Sequence, residues 1–327
     1  MADLTPSVGP AETNALDFTE AHHKIAELLS SSDPARRRKD RVMRTLIWAA
    51  FAVAMIPLVS LLWTVVTRGL GRFDWYFLTV SMRGVFGGMD AGGIYHAMVG
   101  TLVITASAAV ISVPIGLLTA IYLVEYGRGR LARAITFFVD VMTGIPSIVA
   151  GLFSFALFSI FFGPGVRLGI AASVAVSVLM IPVVVRSCEE MLRLVPNELR
   201  EAAYALGVPK WLTIIKVVLR TSVAGITTGV LLAVARVIGE TAPILITAGF
   251  ADSINFNPFS GRMMTLPVYI YTQYRVGLVP CAPTDAYCIE DINVLRAWAA
   301  ALTLILIVMV LNLVGRLVTR FFAPKLR

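Results

Sequence analysis

The chain has 327 residues, 57% of them hydrophobic and only 15% charged, with a mean hydropathy of +0.81. That balance excludes an ordinary soluble domain and predicts a protein that crosses a membrane several times. The net charge of +8 and pI near 9.7 come from Lys and Arg flanking apolar stretches, which argues against a nucleic-acid role.

Residues 1–44 form an N-terminal segment expected in the cytoplasm. Residues 1–35 are polar and lack the apolar core of a secretory signal, and 22–29 have the spacing of a short amphipathic helix. The run Arg36-Arg-Arg-Lys-Asp-Arg-Val-Met-Arg44 lies directly before the first apolar stretch, where it anchors topology or touches anionic headgroups.

Six spans follow, at about 45–67, 94–124, 134–162, 166–187, 221–248 and 297–319, each near the ~20 residues that a bilayer crossing needs. The expected fold class is therefore an all-α membrane protein with a transmembrane domain over 45–321. A cytoplasmic loop at 188–220, an outer loop at 249–295 and a cytoplasmic tail at 322–327 complete it. With the N-terminus inside, twenty basic residues fall in cytoplasmic segments and seven on the other side, leaving Arg236 in the membrane. That asymmetry places both termini in the cytoplasm.

The third span contains Asp140-Val-Met-Thr-Gly144-Ile-Pro146-Ser147. Pro146 lacks an N–H and disfavours helix at Ile145, so a break or kink is expected near Gly144. Two readings stand side by side: an ordinary proline kink, or a helix restarting at Ser147 with free amides and a positive dipole end suited to an anion. Asp140, nearer the cytoplasmic face, pairs with Arg133 or with a partner subunit.

Before the fifth span, Asn197 is placed to cap a short helix over 198–206, and Gly207 with Pro209 to stop it. Leu199, Ala202, Ala203 and Leu206 fall at i, i+3, i+4 and i+7, one apolar stripe that either packs back on the chain or meets another protein. In the fifth span Arg236 lies about 15 residues, or ~22 Å, from the cytoplasmic end. A charge that deep costs roughly 2.5–3.5 kcal/mol, so it needs a partner or a purpose. Glu240 at i+4 allows a pair that locks packing, and a polar pathway is the other reading.

Cys281 and Cys288 share the outer loop and are disulfide candidates, whereas Cys188 is expected to face the cytoplasm as a thiol. The three histidines, His22, His23 and His96, cluster with no ligand set, so no metal is expected. Leu266-Pro267-Val268-Tyr269 is read as a lip of the outer loop.

The segment Glu201-Ala202-Ala203, Gly207, Val217 and Leu219 resembles the coupling loop of type I ABC importer permeases, with Arg220 where that pattern carries proline. Ala235-Arg236-Val-Ile-Gly239-Glu240-Thr241-Ala-Pro243, together with Asp140 and Gly144-Ile-Pro146-Ser147-Ile-Val-Ala-Gly151-Leu-Phe153, resembles phosphate-specific permeases. The Thr-Ala-Pro ending is more similar to their PstA-type than their PstC-type subunit.

The resemblance implies a permease subunit of an ATP-driven phosphate importer. Its partners would be a PstC-type permease, two copies of a cytoplasmic ABC ATPase, and an extracytoplasmic phosphate-binding protein. It implies a substrate pathway through Arg236, Glu240, Thr241, Ser147 and Asp140, and ATPase coupling through Leu199, Glu201, Ala202, Ala203, Leu206 and Gly207. The sequence has no Gly-x-x-x-x-Gly-Lys-Ser/Thr loop, so ATP and magnesium are expected in the partner ATPase, with no cofactor on this chain and no enzyme activity of its own. A permease for sulfate or molybdate is the alternative. A passive channel or ion-driven transporter would have no use for the coupling loop, and an intramembrane enzyme would need a nucleophile or ligand trio that Asp140, Arg236 and Glu240 do not offer.

Overall fold

The computed structural model describes residues 34–282 and 287–322; the helix expected at 22–29 and the tail from 323 onward lie outside them. The chain divides into two compact units, 1–63 and 64–327. The first, from residue 34, is the bulk of one long helix, α1 (Pro34–Gly69), whose Ile47, Trp48, Phe51 and Val53 are exposed. Such a helix is apolar on all sides, as a lipid-facing span is.

The second unit holds the end of α1, a 3₁₀ turn at Leu70–Arg72, and α2 (Trp75–Thr79). Next come α3 (Tyr95–Ile121), continued by a π turn at Tyr122–Tyr126, then α4 (Gly129–Thr143), α5 (Ser147–Phe162) and α6 (Gly169–Arg193). The order continues with α7 (Asn197–Ala205), α8 (Lys210–Thr213), a π turn at Ile214–Val218, α9 (Leu219–Ile238), α10 (Ala242–Thr247), α11 (Leu266–Val276) and α12 (Ile292–Phe322). No strand occurs among the described residues.

Five helical stretches are long and apolar enough to cross a membrane: 37–72, 95–126, 169–193, 210–238 and 292–317. The pair α4 and α5, bent by 106° at its break, is long and apolar enough only when the two are taken together. An apolar solvent supplies no hydrophobic force between helices, so close packing of small residues must hold the core. Helices α3 and α6 do this: Gly100, Ile104, Ala108, Ser112, Gly116 and Ala120 line one buried stripe of α3 at intervals of four. A Cβ on Gly116 would fall 2.6 Å from Val184 Cγ1, so only glycine permits that approach. Ser173 Oγ also donates across the pair to the Ile104 carbonyl at 3.2 Å.

The structure decides between the two readings of the third span and corrects two other sequence expectations. The third span is two helices, since 106° is far beyond a proline kink and neither half, at ~22–24 Å, crosses a ~30 Å core alone. The fifth span begins at Lys210 and ends at Ile238 instead of covering 221–248, because Gly239 closes the helix and a separate short helix follows. Leu266, Val268 and Tyr269 are completely buried against the core, so they form no lip.

Candidate functional site

Two chain breaks interrupt the membrane-crossing helices. The first, at Gly144–Pro146, follows from Pro146, whose extended backbone turns the chain before α5 restarts at Ser147. The second, at Gly239–Thr241, ends α9; the Gly239 and Glu240 amides reach back to the Arg236 and Val237 carbonyls at 3.2 and 3.0 Å. Helices α5 and α10, which begin at these breaks, pack together. A Cβ on Gly151 would lie 2.6 Å from the Pro243 Cα, and the Leu168 amide donates to the Thr247 carbonyl at 3.0 Å. The start of α10 is thereby set against the second turn of α5.

Arg236 occupies the last turn of α9, where a cation suits the negative end of the helix dipole. The anticipated pairing with Glu240 does not occur. The helix stops at Ile238, so Glu240 is off the i+4 register, and among the described residues neither side chain forms an ion pair. Arg236 is exposed and Glu240 half-buried, as are Thr241 and Ser147, whose hydroxyls have no hydrogen-bond partner among the described residues. A guanidinium, a carboxylate and two hydroxyls with free hydrogen-bonding capacity thus lie at the two helix breaks, Ser147 opening a 16-residue helix.

Asp140 does not share that exposed set. Its carboxylate is engaged by Arg186 of α6 and not by Arg133. Arg186 also donates to buried Glu189 at 2.9 Å, and Glu189 accepts from Arg193 at 2.7 Å. The i+3 and i+4 spacings of these three are legible in the sequence; the cross-helix link from Asp140 is not.

Between α6 and α9 the chain leaves the apolar core. Helix α7 begins at Asn197, one residue before the expected start, with Pro196 as its N-cap. Asn197 does not cap it; its Oδ1 accepts from Arg200 at 3.1 Å. Gly207, at φ +76°, closes the helix in a left-handed turn with the Val208 amide bonded to the Ala203 carbonyl at 3.1 Å. Only Ala203 of the stripe is buried; Leu199, Ala202 and Leu206 are exposed, Leu206 to 84%, and Glu201 beside them is exposed too. The stripe therefore does not pack back on its own chain.

Sequence reasoning missed what holds α7. Arg200 reaches Glu125 at the end of α3, 75 residues away, and Lys210 donates to the Glu125 carbonyl while lying 4.6 Å from the Tyr126 ring centroid. On the opposite side of the unit, Cys281 and Cys288 are bonded with Cα atoms 5.7 Å apart. The Ile289 amide donates to the Gly88 carbonyl at 2.9 Å beside this bridge. Arg296, 1% exposed, pins the same region by donating to the Met89 and Ala91 carbonyls at 2.7 and 2.6 Å. Cys188 is buried in α6 with its thiol free.

Residues 112–327 match the family model described as "Binding-protein-dependent transport system inner membrane component". The "Phosphate transport system permease protein PstA 1" of Mycobacterium tuberculosis (strain CDC 1551 / Oshkosh) is 50% identical over 295 residues, covering 89% of this chain and 92% of that protein. The "Phosphate transport system permease protein PstA" of Pasteurella multocida (strain Pm70) is 37% identical, over 89% of this chain and 96% of its own. Among solved structures, a bacterial alginate ABC transporter in complex with an alginate pentasaccharide-bound periplasmic protein has a TM-score of 0.60 at 13% identity, covering 88% of this chain and 96% of that one. The MetNI methionine ABC transporter in an inward-facing form has a TM-score of 0.53 at 19% identity over 70% and 94%. These two likenesses concern the fold alone.

Proposed function

We propose, from the premise that this chain belongs to the family of binding-protein-dependent transport system inner membrane components and within it to the PstA phosphate transport permeases, that its paired helix breaks carry the anion and its α7 stripe grips an ATPase. The chain is a multi-pass membrane permease subunit of a phosphate importer, and ATP hydrolysis belongs to a separate subunit.

The observation that carries the pathway reading is Arg236. Arg236 stands exposed in the last turn of α9, at the break before α10, and among the described residues it has no carboxylate partner, so its charge is open to an anion. Phosphate near neutral pH is a mixture of mono- and dianion that still bears a proton. Arg236 attracts it, Ser147 and Thr241 supply hydroxyls, and Glu240 accepts a hydrogen bond from the phosphate O–H while repelling fully ionised sulfate. Asp140, engaged by Arg186, borders the pathway as part of the scaffold.

The exposed stripe of α7, with Glu201 at its edge, docks in a groove of a cytoplasmic ATPase that holds ATP and magnesium. Closure of two such ATPases rotates the attached spans and exposes the anion site alternately to each side. A PstC-type permease forms the other half of the pathway, and an extracytoplasmic phosphate-binding protein delivers the ion. Both chain termini lie in the cytoplasm, as the excess of basic residues favours.

Replacing Arg236→Ala in the assembled transporter tests the pathway. Loss of a charge-assisted contact worth about 1.5–3 kcal/mol is expected to cut phosphate uptake roughly 10–100-fold at normal assembly. Uptake at the wild-type rate, or failure only through lost assembly, refutes it.

A further inference from the structure

Helix α7 has nine residues, too few for stability on its own, and it buries little of its own surface. Yet under the docking reading it must transmit a push without folding up. Its side-chain ties to the membrane helices centre on Arg200. Arg200 Nε and Nη2 both lie 3.1 Å from Glu125 Oε1 at the end of α3. Its Nη2 also donates to the Leu192 carbonyl at 2.9 Å, and its Nη1 to the Val195 carbonyl at 2.5 Å and to Asn197 Oδ1 at 3.1 Å.

Leu192 lies in the last turn of α6, where its carbonyl also accepts from the Val195 amide at 3.4 Å, and Val195 follows in the turn to α7. The pair is shielded, with the Arg200 and Glu125 side chains 12% and 6% exposed. Lys210 reaches the Glu125 carbonyl from beyond Gly207, so both flanks of α7 converge on one residue of α3.

We propose that Arg200 is a positioning residue for energy coupling. With Glu125 it makes α7 rigid with the ends of α3 and α6, so that displacement of the exposed stripe moves both membrane helices as one body. The planar fork is required, because a lysine ammonium cannot reach acceptors on α3, on α6 and in the connecting turn in one geometry. This inference rests on the reading that α7 docks an ATPase.

The test uses the complete transporter in liposomes with its binding protein, reading phosphate transported per ATP hydrolysed, together with hydrogen exchange of the 197–206 amides. In Arg200→Met, exchange rises and the transport-to-hydrolysis ratio falls roughly tenfold while hydrolysis continues. Arg200→Lys keeps the charge, favours assembly, and shows a smaller fall of the same ratio. Unchanged exchange overturns the tie, and so does raised exchange at an unchanged ratio.

Glu201→Lys, on the exposed face, separates the two ideas. Full coupling in that variant refutes the docking reading itself, whereas coupling lost there but intact in Arg200→Met refutes only the tie.

Discussion

The proposed ion selection is most directly testable at Glu240. The carboxylate stands half-buried past the end of α9, without an ion pair among the described residues, free to accept a proton-bearing ligand. Glu240→Gln turns that oxygen pair into an amide whose NH₂ donates as readily to sulfate as to phosphate. Phosphate-over-sulfate preference, measured by competitive uptake, is expected to drop roughly tenfold, the worth of about one hydrogen bond. Undiminished preference would remove Glu240 from ion selection. The spacing of Arg236 and Glu240 in the sequence suggests an intrahelical pair, and it misleads because register holds only while the helix lasts. Gly239 ends it.

Among elements, the junction of α5 with α10 carries the most weight for the pathway, because it brings two half-helices to one place. Gly151 makes the approach, and its hydrogen points at backbone that cannot yield. Gly151→Val is expected to part the two helices at a cost of about 1–3 kcal/mol, seen as a lower midpoint of thermal unfolding and as lost uptake. Full uptake with unchanged unfolding would show that the breaks need no such contact. Helix α7 differs in kind. Its limits were legible from Gly207 and Pro209, but its stiffness was not, since Glu125 and Arg200 are 75 positions apart and no local rule joins them.

In the molecule as a whole, polar ties frame the α3–α6 core. On the α7 side they are the Glu125–Arg200 and Asp140–Arg186 pairs; on the other they are the Cys281–Cys288 bridge, Arg296 and the Arg72–Asp90 pair. The core between them is held by small residues that let the two helices approach closely. Closing the short ring between the two cysteines adds ~2–3 kcal/mol of local stability on the chain-entropy estimate. Cys281→Ser with Cys288→Ser is therefore expected to speed hydrogen exchange at the Val279 and Ile289 amides without releasing the ATPase. If exchange there is unchanged, the bridge adds nothing that the backbone hydrogen bonds of Val279 and Ile289 do not already provide.

The sequence alone determined that this chain is an all-α membrane protein, which residues dwell in apolar surroundings, that Pro146 and Gly207 interrupt helices, and which short stripe needed a partner, on its own chain or another. All of these follow from composition, period and local backbone chemistry, which act over a few residues. Tertiary structure decided the 106° bend of the third span, the placing of α10 against α5, the partner of Asp140 and the anchoring of α7. Each of those depends on where helices distant in the chain come to lie, and packing among them is settled by shape and by buried polar groups finding acceptors, neither of which has a periodicity to read.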